Sequence, residues 1–255
     1  MDLKRLGIDD KHVHIYDEID STNLEAVRRA REIAPLDIEI FLARRQTAGR
    51  GRLGKSFVSE GGAGIYLSIL IPAEKYREGA LTAHTAVAVA TALDNHLGIR
   101  TRIKWVNDIY LSGKKLGGIL VEAVTSTEGK IVAFVVGLGI NVYKNAITDE
   151  ISDIATSLED CDVFVESADE LCEKIIESFL TLLCEPSPKT LLSEYRKRAL
   201  RCGARIEVLP IGGEPYEATV LGVNDDFTLK VQLADGRVCS LSSGEVKTTL
   251  KTALI

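Results

Sequence analysis

The chain has 255 residues, 45% apolar and 27% charged, the balance of an ordinary soluble protein with room for one large core and a small second unit. Its net charge of -6 gives nucleic acid no global attraction, so binding there would need a local basic patch. No apolar run reaches the length of a bilayer span, and the opening MDLKRLGIDDKH lacks the apolar core of a signal peptide.

HVHIYDEI reads as a strand. A capping box follows, with Thr22 as cap and Glu25 reaching back, and opens the helix LEAVRRARE. A strand near Ile38–Ala43 leads into GRGRLGKS, residues 49–56. That string matches both the P-loop pattern GxxxxGK[ST] and the dinucleotide pattern GxGxxG. Each needs a buried strand running straight into the glycines and a helix starting at the last of them. Here the polar run Arg44–Ala48 intervenes, and Gly61, Gly62 and Gly64 follow, a cluster that opposes a helix. The string is therefore a loop between strands, the second being Ile65–Ile71.

A long apolar helix is expected over Ala80–Leu97, stopping at Gly98. Next comes a hairpin, IKWVNDIYL and LGGILVEAV about a Ser112-Gly113 turn, and then the strand KIVAFVVGLGINV. These long strands alternate poorly, so both faces should be covered. A second capping box, Ser167 with Glu170, opens a helix whose buried stripe is Leu171, Ile175, Phe179 and Leu183. A shorter helix, TLLSEYRKRAL, reaches about Leu200. Beyond it RIEVLP, EATVLGV, FTLKVQL and RVCSLSS are short strands between turn residues, the mark of a small barrel. The whole describes an α+β chain: a mixed β-sheet backed by helices over residues 1–200, with a small C-terminal β-barrel over 201–255.

Five cysteines form no CxxC pair, which argues against a disulfide framework or structural zinc site and fits a reducing cytoplasm. His12 and His14 lack a third ligand nearby, so no metal site is expected.

Four segments stand out chemically. The loop brings Gln46, Arg50 and Arg52 together with Gly49, Gly51 and Gly54, forked donors on pliable backbone, suited to a doubly anionic ligand. In KWVND with KKLGG, one strand carries Lys104 and Asp108 on one face and Trp105 and Asn107 on the other. Lys115 can approach Asp108 across the turn, and Gly117-Gly118 admits a ligand to the backbone. DSTN, Asp20–Asn23, combines cap residues with polar groups, and GLGIN, Gly137–Asn141, again has glycines in an apolar strand. A surface ion pair and ordinary helix caps are the plain alternatives for the second and third.

Taken in order, DSTN, QTAGRGRLG, KWVND, KLGGILVE and GLGIN resemble the catalytic domain of biotin protein ligases, a class II synthetase-like fold shared with lipoate-attaching enzymes, and the C-terminal strands ending in SSGEV resemble that family's SH3-like domain. The resemblance implies that Ser21, Thr22, Asn23 and Gln46 surround biotin's fused rings. It assigns Arg50, Gly51, Arg52 and Lys115 to the biotin carboxylate and the adenylate phosphate, Gly118 and Gly139 to the biotin slot, and Asn141 to the nucleotide side. The family's usual KWPND proline is Val106 here, and the aromatic after the loop, commonly Trp, is Phe57. Neither change removes a charge or donor, so tuned affinity is expected.

The implied reaction has biotin's carboxylate attack the α-phosphate of magnesium-bound ATP, giving biotinyl-5'-AMP and pyrophosphate. A lysine of a biotin carboxyl carrier protein, of the acetyl-CoA carboxylase type, then takes the biotinyl group and releases AMP. Magnesium is expected on the phosphates and not in a protein cage. Arg50 and Lys115 are the candidate catalytic cations, and Asp108 the candidate base for the acceptor amine. Longer relatives carry an N-terminal helix-turn-helix; with DSTN already at Asp20, none is expected here, and so no operator DNA. A homodimer through a sheet edge is a family expectation. The rivals are a lipoate ligase, which the polar DSTN and Gln46 set suits poorly, a non-catalytic biotin sensor, and a nucleic-acid ligase, whose KxDG is not matched by KWVND.

Overall fold

The parallel pair β1 (Val13–Ile19) and β2 (Glu39–Gln46) is joined by helix α1 (Thr22–Glu32), in a computed structural model that describes residues 3–32, 37–75, 80–184 and 188–248. Five antiparallel strands extend this pair: β3 (Gly64–Pro72), β4 (Arg102–Lys104), β5 (Asp108–Leu111), β6 (Lys114–Thr125) and β7 (Ile131–Asn141). The sheet order is β1-β2-β3-β7-β6-β5-β4. This is the mixed sheet backed by helices that the sequence leads one to expect.

Both faces of the centre are covered, which is why β3 and β7 show no polar alternation. Ile65, Leu67, Ile69 and Ile71 of β3 join the core under helix α2 (Leu81–Leu97), while Leu70 with Phe41 and Val135 packs on Ala26 and Ala30 of α1. Each such aliphatic side chain taken from water contributes roughly 1.5–3 kcal/mol. Helix α2 is apolar nearly all round because it lies between the sheet and helix α3 (Ala168–Cys184). It ends at Gly98, whose φ of +66° turns the chain out and lets its N–H bond Asp94 O.

Two local expectations are corrected. The cap of α1 is Ser21, whose Oγ accepts from Leu24 N, while Glu25 pairs with Arg28; Thr22 is drawn into the site. The stretch IKWVNDIYL is not one strand. It breaks at Trp105–Asn107, because the Trp105 ring is buried and its Nε1 donates to Phe227 O at 2.9 Å. Lys104 and Asp108 therefore face each other across β4 and β5, still on one side of the sheet.

Ser167 Oγ accepts from Glu170 N, starting α3, whose Leu171, Ile175 and Phe179 are buried; Leu183 at its far end is only partly so. After helix α4 (Pro188–Arg198) come β8 (Arg205–Leu209), β9 (Tyr216–Val223), β10 (Leu229–Leu233), β11 (Val238–Leu241) and a further strand within SSGEV, β12 (Glu245–Thr248). They form an antiparallel sheet ordered β11-β10-β9-β8-β12, compatible with an SH3-like unit. Among the described residues its end strands do not pair, so the sheet is not closed into a barrel. Its Ile206, Val208, Val220 and Leu229 share the buried cluster of the large sheet. No helix among the described residues is long and apolar enough to cross a membrane.

Candidate active site

The start of α1, the end of β2, the loop after it and the facing stretches of β6 and β7 enclose one pocket. Ser21, Thr22, Asn23, Gln46, Arg50, Gly51, Arg52, Lys115, Gly118 and Gly139 all line it, together with Phe57, Asn107 and Gly137. Asp108 stands behind Lys115. Asn141 does not line the pocket: it is buried at the end of β7, and its Nδ2 donates to Thr156 O at 3.1 Å.

Glycines in β7 let neighbours close on the strand. A Cβ on Gly139 would come 2.5 Å from the Phe57 ring, and one on Gly137 would overlap the Asn23 carboxamide. Both glycines point to the same face of the strand, so Asn23 and Phe57 sit directly on the pocket floor.

A polar chain crosses that floor. Gln46 Oε1 accepts from Thr22 N at 2.9 Å and from Thr22 Oγ1 at 3.1 Å, while Gln46 Nε2 donates to Ser59 Oγ at 2.9 Å. Ser68 Oγ, fully buried on β3, lies 2.8 Å from Thr22 Oγ1 and donates to Asn23 Oδ1 at 2.6 Å. Asn23 Nδ2 in turn donates to Glu122 Oε2 at 2.9 Å. Every amide of this chain is fixed by what it meets at both ends, which makes the end near Gln46 rigid, neutral and polar.

The other end is cationic. Lys115 Nζ lies 2.7 Å from Asp108 Oδ1, the approach expected across the hairpin. Arg52 Nη1 donates to Asn107 Oδ1 at 2.9 Å and Nη2 to Gly244 O at 3.4 Å. Arg50 Nη1 reaches Glu122 at 3.0 Å. Burial pushes the Lys104 ammonium below its usual range, with the charge of Asp108 opposing; its Nζ sits 3.2 Å from Tyr110 Oη, itself pushed up to about 12 by burial first and Asp108 second.

The loop is not a phosphate loop of either pattern. After Arg52–Gly54, a single 3-10 turn, the chain runs on to β3 without a helix. Lys55 turns from the pocket to Glu245 of β12, 2.6 Å away. Burial pushes the Glu245 carboxyl up, but the Lys55 hydrogen bond and the charges of Lys55, Arg52 and Lys104 together outweigh it and leave the group below its usual range.

Glu122 is a contact of two pocket residues, Asn23 and Arg50, that the reading of motifs missed. It stands within KLGGILVE, but only the packed sheet brings it to Asn23 and Arg50. Among the described residues no group of three or more His, Cys, Asp or Glu side chains is placed to hold a metal.

Residues 19–141 match the family model "Biotin/lipoate A/B protein ligase family". The bifunctional ligase/repressor BirA of Bacillus subtilis is 34% identical over 241 residues, covering 89% of this chain and 71% of its own. The biotin–[acetyl-CoA-carboxylase] ligase of Mycobacterium tuberculosis is 28% identical over 235 residues, covering 89% and 85%. The structure of the biotin protein ligase from Aquifex aeolicus in complex with biotin and ATP superposes with a TM-score of 0.79 at 26% identity, covering 92% of this chain and 97% of that one. With this fold, this pocket and these relatives, the chain belongs to the biotin/lipoate A/B protein ligase family, among the biotin protein ligases.

Proposed function

We propose that the chain activates biotin with ATP as biotinyl-5'-AMP and transfers it to a lysine of a biotin carboxyl carrier protein, of the acetyl-CoA carboxylase type. The observation that carries this is the convergence of Arg50, Arg52 and Lys115 on one end of a pocket whose other end is neutral and polar. The first step joins two anions, a carboxylate and the α-phosphate, so cations are its essential equipment. Each preorganised charged donor at such a centre contributes about 2–4 kcal/mol. Ser21, Thr22, Asn23 and Gln46 would hold the ureido rings, Gly118 and Gly139 the slot, and Asn141 the nucleotide side. Magnesium would neutralise the phosphates it arrives with.

The second step needs a neutral amine, and a free lysine is only about one part in a thousand neutral near pH 7. Asp108 is the carboxylate beside Lys115 and would accept the proton as the anhydride is attacked. Residues 1–200 are the proposed catalytic unit and 201–255 the SH3-like one; the pocket lining lies within residues 21–139, in support of that division. The test supplies biotin, magnesium ATP and a biotin carboxyl carrier domain. Biotinylated carrier with AMP and pyrophosphate is expected; no label on the carrier, or lipoate accepted in place of biotin, overturns the reading.

A further inference from the structure

We propose that Glu122 is the resting counter-ion of Arg50, a positioning residue that biotin's carboxylate displaces when it binds. The inference rests on the biotin reading of the pocket and adds a residue to it. Arg50 lines the pocket, yet its guanidinium is held at the rim by both oxygens of Glu122, at 3.0 and 3.2 Å. The same carboxylate accepts from the buried Asn23, whose Oδ1 is taken by Ser68. Glu122 is thereby fixed from behind, with side-chain exposure of 24% against 40% for Arg50. One partner is anchored and the other is the more exposed. Only Nη1 of Arg50 meets Glu122, so an arriving carboxylate that takes the planar fork competes with Glu122 for the same positive charge. The arrangement holds the loop ready without ligand and sets how much of Arg50's attraction the substrate feels.

Glu122→Gln keeps an oxygen for Asn23 Nδ2 and removes the charge together with the second oxygen that meets Arg50. Binding of biotin and of uncharged biotinamide would be measured by calorimetry for the native chain and for Glu122→Gln, with melting temperatures checking the fold. Biotin should bind about 2- to 5-fold more tightly to the variant, the scale of a partly exposed ion pair, with biotinamide unchanged. In an Arg50→Ala background the same substitution should change neither affinity. Equal weakening of both ligands, or an unchanged biotin affinity, overturns the counter-ion role and leaves Glu122 a structural contact of Asn23. If the variant does not fold, the charge of Glu122 is structural and the proposal fails. Failure of the native chain to bind biotin at all would instead overturn the reading of the pocket, and this inference with it.

Discussion

Gly137→Ala tests the pocket floor directly. The new Cβ would overlap Asn23 Oδ1 and stand 2.7 Å from Cγ and 2.8 Å from Nδ2, so turning the carboxamide cannot clear it. Gly137 is paired with Ser68 on one side and Leu120 on the other, which pins its backbone in mid-sheet. Asn23 must therefore give way, and with it the bonds from Ser68 Oγ and to Glu122. Overpacking of this kind costs roughly 1–3 kcal/mol and each of the two lost hydrogen bonds roughly 0.5–1.5 kcal/mol, about 2–6 kcal/mol in all. For a chain of this size that lowers the melting temperature by about 4–24 °C. Scanning calorimetry reads the stability, and biotin titration, expected to weaken at least tenfold, reads the site. Adding Asn23→Ala should recover part of the lost melting temperature because the overlap is gone, without recovering biotin affinity. A Gly137→Ala variant with native melting and native biotin affinity would refute this account of the floor.

Biotin-dependent pyrophosphate exchange should fall by about 30- to 1000-fold for Arg50→Ala, the worth of a charged donor at the reacting groups. Lys55→Ala, which breaks only an exposed pair with Glu245, should cost about threefold or less; the reverse ranking would revive the phosphate-loop reading. Asp108→Asn should still catalyse that exchange but transfer biotin to the carrier slowly, and equal loss of both half-reactions would place Asp108 in the first step. His84 is buried, and that burial holds its imidazole below the usual range, against a bond to Phe179 O. The unfolded chain takes up a proton near pH 6.5 that the folded chain refuses, so this contribution is complete above about pH 6.5 and is lost as pH falls below it. The drop in melting temperature from pH 7.5 to 5.5 should shrink in His84→Gln; an unchanged drop would assign it to other groups.

Residue order alone determined the element types, because period and punctuation are local. Alternation, helix stripes and stop signals such as Gly98 act within a few residues, and the helices and most strands stand where those signals put them. Local context was also enough to dismiss GRGRLGKS as a phosphate loop, since the missing helix is a property of the next ten residues. The motifs and their order marked Gln46, Arg50, Arg52 and Lys115 as residues of one site before any contact was known.

What tertiary structure decided was partner choice. Ser21 and Thr22 are both competent caps by sequence; Gln46 and Ser68, from two strands, claim Thr22 and leave the cap to Ser21. Trp105 reads as a strand residue until Phe227, 122 positions later, offers its carbonyl, and the strand breaks to reach it. Glu122 has no local signal at all, since an exposed-looking acid in a strand gains meaning only when Asn23 and Arg50 arrive from 99 and 72 residues away. Hydrogen bonds and ion pairs of this kind are short-ranged in space and blind to sequence distance, so only the packed chain could assign them.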